Sequence, residues 1–250
     1  MPRYFLEVSY KGTAYSGFQV QANAVSIQAE IEKAFAVFFR RPVMMTGASR
    51  TDTGVHARQN YFHFDYDEAI APESVYRLNA ILPGDICIKG IFPVPEGAHC
   101  RFDAESREYR YYIYGKKDPF LADRAYFYPY PLDWAVLDAV AARLLDFTDF
   151  TSFSKRNTQV NHFRCTILES HWVKQEGGFY YRIRANRFLR GMVRGLTGTM
   201  LKAGRGQLTG ADFDEILAGK DPARVNFNVP AKGLFLERVR YPEHYLLERR

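Results

Sequence analysis

A chain of 250 residues, 47% hydrophobic and 25% charged, can bury a core of its own, which excludes disorder and a stapled miniprotein. Its net charge of +6 suits a polyanionic partner, although a charge of this size is also ordinary for a soluble surface. The start, MPRYFLEVSY, lacks a secretory h-region, no apolar run approaches the ~18 residues of a membrane span, and Cys87, Cys100 and Cys165 show neither CxxC pairing nor zinc-ligand spacing. A cytoplasmic protein without disulfides, and with no metal site, is expected.

The first element is a strand over 4–10, where Tyr4, Leu6, Val8 and Tyr10 alternate with more polar positions. Ser26 caps a predicted helix whose Ile27, Ile31, Ala34, Phe35 and Phe38 share one face. A strand over 42–46, a polar loop over 47–57 and a strand over 59–65 follow. A short helix over 73–82 is stopped by Pro83-Gly84-Asp85, and a strand over 86–94 closes the half. The order is βαββαβ, the split arrangement of ferredoxin-like domains.

The second half repeats that order with an extra helix. It has a strand over 107–114, a helix from cap Asp133 to 146 with Leu137, Val140, Ala141, Leu144 and Leu145 inward, and a hairpin of 166–174 and 179–185 around Gly177-Gly178. Helices over 188–203 and, capped by Thr209, to 218 precede a closing strand over 234–240. The expected fold is therefore α+β, two ferredoxin-like halves (1–103 and 104–250) sharing a central sheet of eight mostly antiparallel strands with flanking helices. The halves match in pattern and show no clear sequence repeat.

Three segments carry chemistry. The loop ASRTDTGVHA gathers Arg50, Thr51, Asp52, Gly54 and His56, with Arg58 just beyond. A carboxylate in a loop between strands can serve as nucleophile or base, and the flanking arginines suit it and phosphate. The bland alternative is a polar Asx-turn with surface arginines. His56 reads as a buried, hydrogen-bonded histidine. In ANRFLRGMVRGLTGTMLKAGRG, Arg187, Arg190 and Arg194 fall at i, i+3 and i+7, one helical face with no acidic residue up to Arg205. That stripe is either a phosphate surface or a solvated face. On strand 180–185, Tyr180, Arg182 and Arg184 share a side, either as a stacking and phosphate surface or as a face covered by a neighbour's acids. No P-loop, GxSxG elbow, HExxH or GxGxxG occurs, which removes the usual nucleotide hydrolases, serine hydrolases and zinc proteases.

The loop ASRTDTGVHA closely resembles the signature loop of TruA-type tRNA pseudouridine synthases, typically AGRTDAGVHA. The resemblance continues in the family's order through YKGTAYSGFQVQ (family YDGxxYxGWQxQ), LPGDI, AHCRFDA, REYRYYIY, DFTSF, ANRFLRGMVR and AKGLFLERVRYP, from Tyr10 to Pro242. It implies the pseudouridine synthase fold and isomerisation of uridine in tRNA, at positions 38, 39 and 40 of the anticodon arm, by a cytoplasmic homodimer without cofactor or metal. Carried over residue by residue, Asp52 matches the catalytic aspartate and Arg50 an arginine that holds the flipped nucleotide. Tyr109 matches the active-site tyrosine, Arg194 the arginine paired with the aspartate, and Leu234 the apolar lining of the uracil pocket. Arg58, Arg187 and Arg190 are further candidates for binding the substrate. The departures are Ser49 for Gly, Thr53 for Ala and Phe18 for Trp. Ser49 questions the loop's backbone, because glycine reaches angles that serine avoids. The rivals are a synthase acting on other RNAs and an RNA-binding protein with a dormant site.

Overall fold

A computed structural model describes residues 1–156 and 160–245. Among the described residues the fold is α+β: a mixed sheet of nine strands and five α-helices. The chain divides into two compact units, Met1–Glu105 together with the segment from Leu236, and Ser106–Phe235.

The first unit is built on β1 (Arg3–Tyr10), with β4 (Ile86–Val94) on one edge and β3 (His56–Asp65) on the other, both antiparallel. Leu6 faces Phe62 and Ile91 in register. A run such as FLEV buries Phe5, Leu6 and Val8 completely, the pattern of a strand covered on both faces. Helix α1 (Ile27–Phe39) begins where Ser26 Oγ accepts from the Ala29 amide, and buries Ile27, Ile31, Ala34 and Phe35. Helix α2 (Ser74–Ile81) ends at Leu82, ahead of Pro83. The strand expected over 42–46 shrinks to β2, Thr46–Gly47. Met45 explains why. Its amide and carbonyl bond the Glu32 and Gln28 side chains of α1, so that backbone is satisfied outside the sheet.

In the second unit β8 (Gly178–Ala185) lies between β5 (Ser106–Tyr114) and β7 (Ile167–Gln175). Gly177, at φ +76°, makes the β7–β8 turn. A ninth strand that the sequence pattern does not announce, β6 (Tyr126–Phe127), pairs parallel with β5. It is two residues long, too short for a period to register. Helix α3 (Trp134–Arg143) tightens into a 3-10 turn over Leu144–Asp146. That change of pitch turns Leu145 outward, half exposed, against the expectation that it faces the core. Helix α4 (Met192–Gly204) is buried along most of its length, and α5 (Gly210–Ala218) opens with a capping box between Thr209 and Asp212. The closing strand β9 (Leu234–Arg240) runs from the second unit into the first.

Candidate active site

In the first unit, the loop between β2 and β3 is clamped along its whole length. At its start the Ala48 amide donates to Tyr61 O. Asn60, fully buried on β3, donates through Nδ2 to Ser49 O at 2.8 Å and to the Tyr10 hydroxyl at 3.2 Å. That hydroxyl lies 2.8 Å from Thr51 Oγ1. Thr51 O accepts from the Phe18 amide, and Val55 N closes a turn onto Asp52 O with Gly54 at φ +77°. Gly17, at φ +94°, runs against the same backbone, where a side chain would touch Thr51 O, Thr53 N and Asp52 C. Gly12 leaves room for Val55 O, and its amide donates to His56 Nδ1 at 3.1 Å. His56 is fully buried, as expected.

These bonds hold Asp52 half-buried and Arg50 exposed in the same loop. Arg58 stands apart, already in β3, with its Nε 3.2 Å from Glu237 Oε1. Ser49 needs no glycine geometry, since the positive-φ non-glycine residues are Asn23, Arg40 and Lys220. Its cost lies elsewhere: the buried Oγ has no hydrogen-bond partner among the described residues. Phe18 fills its site by stacking on Phe62, with centroids 4.7 Å apart, over a face kept clear by Gly47.

In the second unit, Tyr109 is buried on β5, edge-on to Phe188 at 5.0 Å. Arg194 sits in the first turn of α4, and its Nε and Nη2 both donate to Val229 O, at 2.9 and 2.7 Å. Gly195 and Gly198 create this contact. Added methyl groups there would meet Val225, Phe227 and the Asn226 carbonyl, so the 225–229 segment lies directly on the helix. Asn226 Nδ2 binds Gly198 O. Leu234, buried, follows a 3-10 turn, Ala231–Gly233, in which Gly233 packs on the Tyr111 ring.

The arginine stripe is not helical. The helix expected over 188–203 begins at Met192, so Arg187 and Arg190 lie before it and share no helical face with Arg194. The reason is Gly191, at φ +75°, which reverses the chain at the N-cap while Met192 N closes a turn on Leu189 O. Arg190 is exposed. Arg187, half-buried, places Nη1 3.2 Å from His162 Nε2. On β8 the second of the two readings holds. Glu108 on β5 and Glu169 on β7 flank the row, pairing with Arg182 at 3.0 and 3.1 Å, and Glu169 reaches Arg184 at 2.6 Å. Arg110, also on Glu108, lies over the Tyr180 ring.

The residues that sequence reasoning missed are those that hold the aspartate loop: Tyr10, Gly17 and Asn60. Tyr10 and Gly17 lie in YKGTAYSGFQVQ, so their motif was visible, while Asn60, one polar residue after Arg58 and Gln59 in β3, carried no signal of its own.

The first unit thus fixes one carboxylate in a loop, and the second carries a buried tyrosine on β5 and a half-buried arginine on α4. Comparison with known proteins gives the family. The family model described as tRNA pseudouridine synthase matches residues 141–242. A tRNA pseudouridine synthase A of Parabacteroides distasonis is 43% identical over 97% of this chain and 97% of its own. That of Porphyromonas gingivalis is 42% identical over 99% and 100%. That of Staphylococcus aureus is 36% identical over 98% and 94%. The chain belongs to the tRNA pseudouridine synthase A family, and it is an isomerase.

Proposed function

We propose that this chain converts uridine to pseudouridine in tRNA, in the anticodon arm at positions 38, 39 and 40, with Asp52 as the catalytic carboxylate. The reaction breaks the N1–C1′ bond, turns the uracil and joins C5 to C1′. The C5 proton leaves and N1 gains one, so no atom is gained or lost overall and no redox partner is required. The nucleotide must first leave its stack, because C1′ is otherwise shielded. Arg50, exposed beside Asp52, suits holding it out.

Asp52 has two routes: attack on C1′, or removal of a sugar proton to form a glycal. Tyr109 offers a ring to uracil and a hydroxyl for proton transfer at C5. Arg194 complements the carboxylate, and Leu234 retains the detached base. Arg58, Arg187 and Arg190 add positive charge toward phosphate. A homodimer in the cytoplasm completes the reading.

The observation that carries it is the loop itself. Backbone and buried side chains fix it from both sides, yet Asp52 remains half-buried and open to a substrate. The test is Asp52→Asn with tRNA tritiated at uridine C5, where product formation releases tritium. Release should fall by several powers of ten while tRNA binding persists. Turnover within tenfold of the parent would remove Asp52 from the mechanism. Mapping pseudouridine in the product tRNA tests the three positions.

A further inference from the structure

Away from the aspartate loop, the first unit gathers two imidazoles and a thiol. One ligand atom each from His63, His99 and Cys100 lies within 4.8 Å of the others. His63 Nδ1 is 3.2 Å from Cys100 Sγ, and the two imidazole rings are 4.5 Å apart. Their sequence positions conceal this. His63 is on β3, and the other two are on the connection after β4, a spacing with no metal-motif look.

We propose that His63, His99 and Cys100 form a binding site for a zinc-type cation. Four-coordinate Zn²⁺, with bonds of about 2.3 Å to sulfur and about 2.0–2.1 Å to nitrogen, needs ligand atoms roughly 3.3–3.6 Å apart. The cluster is within about 1.5 Å of that spacing before any metal enters. Two imidazoles and a thiolate are borderline-to-soft donors, which favour zinc over magnesium or calcium.

The site is also pre-organised. Cys100 O accepts from the Tyr241 hydroxyl at 2.5 Å, the His99 amide donates to Asp103 at 2.6 Å, and Arg3 holds Ala98 O at 2.9 Å. His99 Nδ1 takes bonds from the amides of Arg101 and Phe102 at 3.2 and 3.4 Å, weak rivals to a metal for that lone pair. Cys100 and His63 are buried, whereas His99 is half-buried and gives the entry side. Three protein ligands leave a fourth position for water. The metal would clamp β3 to the 98–103 connection.

The test uses the full chain after dialysis against a chelator, titrated with Co²⁺ as a visible substitute for Zn²⁺. The expected result is a sulfur-to-cobalt charge-transfer band with the intense d–d bands of tetrahedral cobalt, saturating at one equivalent. One equivalent of Zn²⁺ should bleach them and raise the melting temperature. Cys100→Ala and His99→Gln should abolish the bands, and Cys87→Ala, at an exposed thiol, should keep them. His99 is only half-buried, so its variant retains the fold if Cys100→Ala does not. No tetrahedral bands in the parent, or bands that survive either site variant, would overturn the assignment.

Discussion

Asn60→Ala removes the side chain that ties the aspartate loop to β3. Asn60 is fully buried, and its amide donates to Ser49 O at 2.8 Å and to the Tyr10 hydroxyl at 3.2 Å, while Oδ1 accepts from Tyr61 N at 2.9 Å. Alanine takes away the donor to Ser49 O in a dry interior. A stranded buried polar group costs about 1–3 kcal/mol, and the void adds about 1 kcal/mol, so the expected loss is about 2–4 kcal/mol. The Tyr10 hydroxyl keeps Thr51, which limits the loss to that range. The larger effect should fall on catalysis. The loop positions Asp52, and a displacement of about 1 Å at a reacting group can cost about 10²-fold in rate. We therefore expect kcat to fall about tenfold to a hundredfold while KM for tRNA changes little. Urea unfolding measures the first quantity, and initial rates of tritium release, well below the unfolding range, measure the second. Asn60→Asp is the control, because it keeps the acceptor toward Tyr61 N and loses the donation to Ser49 O. An Asn60→Ala protein within about 0.5 kcal/mol of the parent, with unchanged kcat, would refute the claim that this residue aims the loop.

Tyr109→Phe keeps the ring that meets Phe188 and loses the hydroxyl; single-turnover product formation should drop more than tRNA affinity, and a fully active variant would reduce Tyr109 to packing. Arg190→Ala and Arg187→Ala should each flatten the plot of log affinity against log salt by about 0.7–0.9. Arg194→Ala, which loses the charge proposed to complement Asp52 as well as the two bonds to Val229 O, should leave that slope alone and abolish turnover; the reverse pattern would mean the assignments are exchanged. Burial, then the charges of His99 and Arg3, lowers the His63 pKa from 6.5 to about 4. The unfolded chain therefore binds this proton first as pH falls. The corresponding stability is whole above about pH 6.5 and is lost toward about pH 4. Melting curves over that window in metal-free buffer should converge for the parent and His63→Gln, and parallel curves would show that His63 titrates normally.

Local order was legible because its causes are local. The Ser26 and Thr209 caps, the 3.6-residue face of α1 and the alternation along β8 are written within a few residues of where they act. So was the polar loop between β2 and β3, although Tyr10, Gly17 and Phe18, which hold it, come from about 30–40 positions away. The arginines show where such reading stops. The spacing of Arg187, Arg190 and Arg194 fits a helix, but Gly191 at φ +75° starts that helix later and breaks the stripe. Alternation placed Arg182 and Arg184 on one face, yet only the registry of β8 with β5 and β7 decided that Glu108 and Glu169 would neutralise them. Asn60 and the His63–His99–Cys100 cluster depend on the same kind of pairing, between residues 11 to 50 positions apart. A period reports which way a side chain points, and tertiary registry decides what it meets there, because hydrogen bonds and ion pairs act over about 3 Å, whatever the separation along the chain.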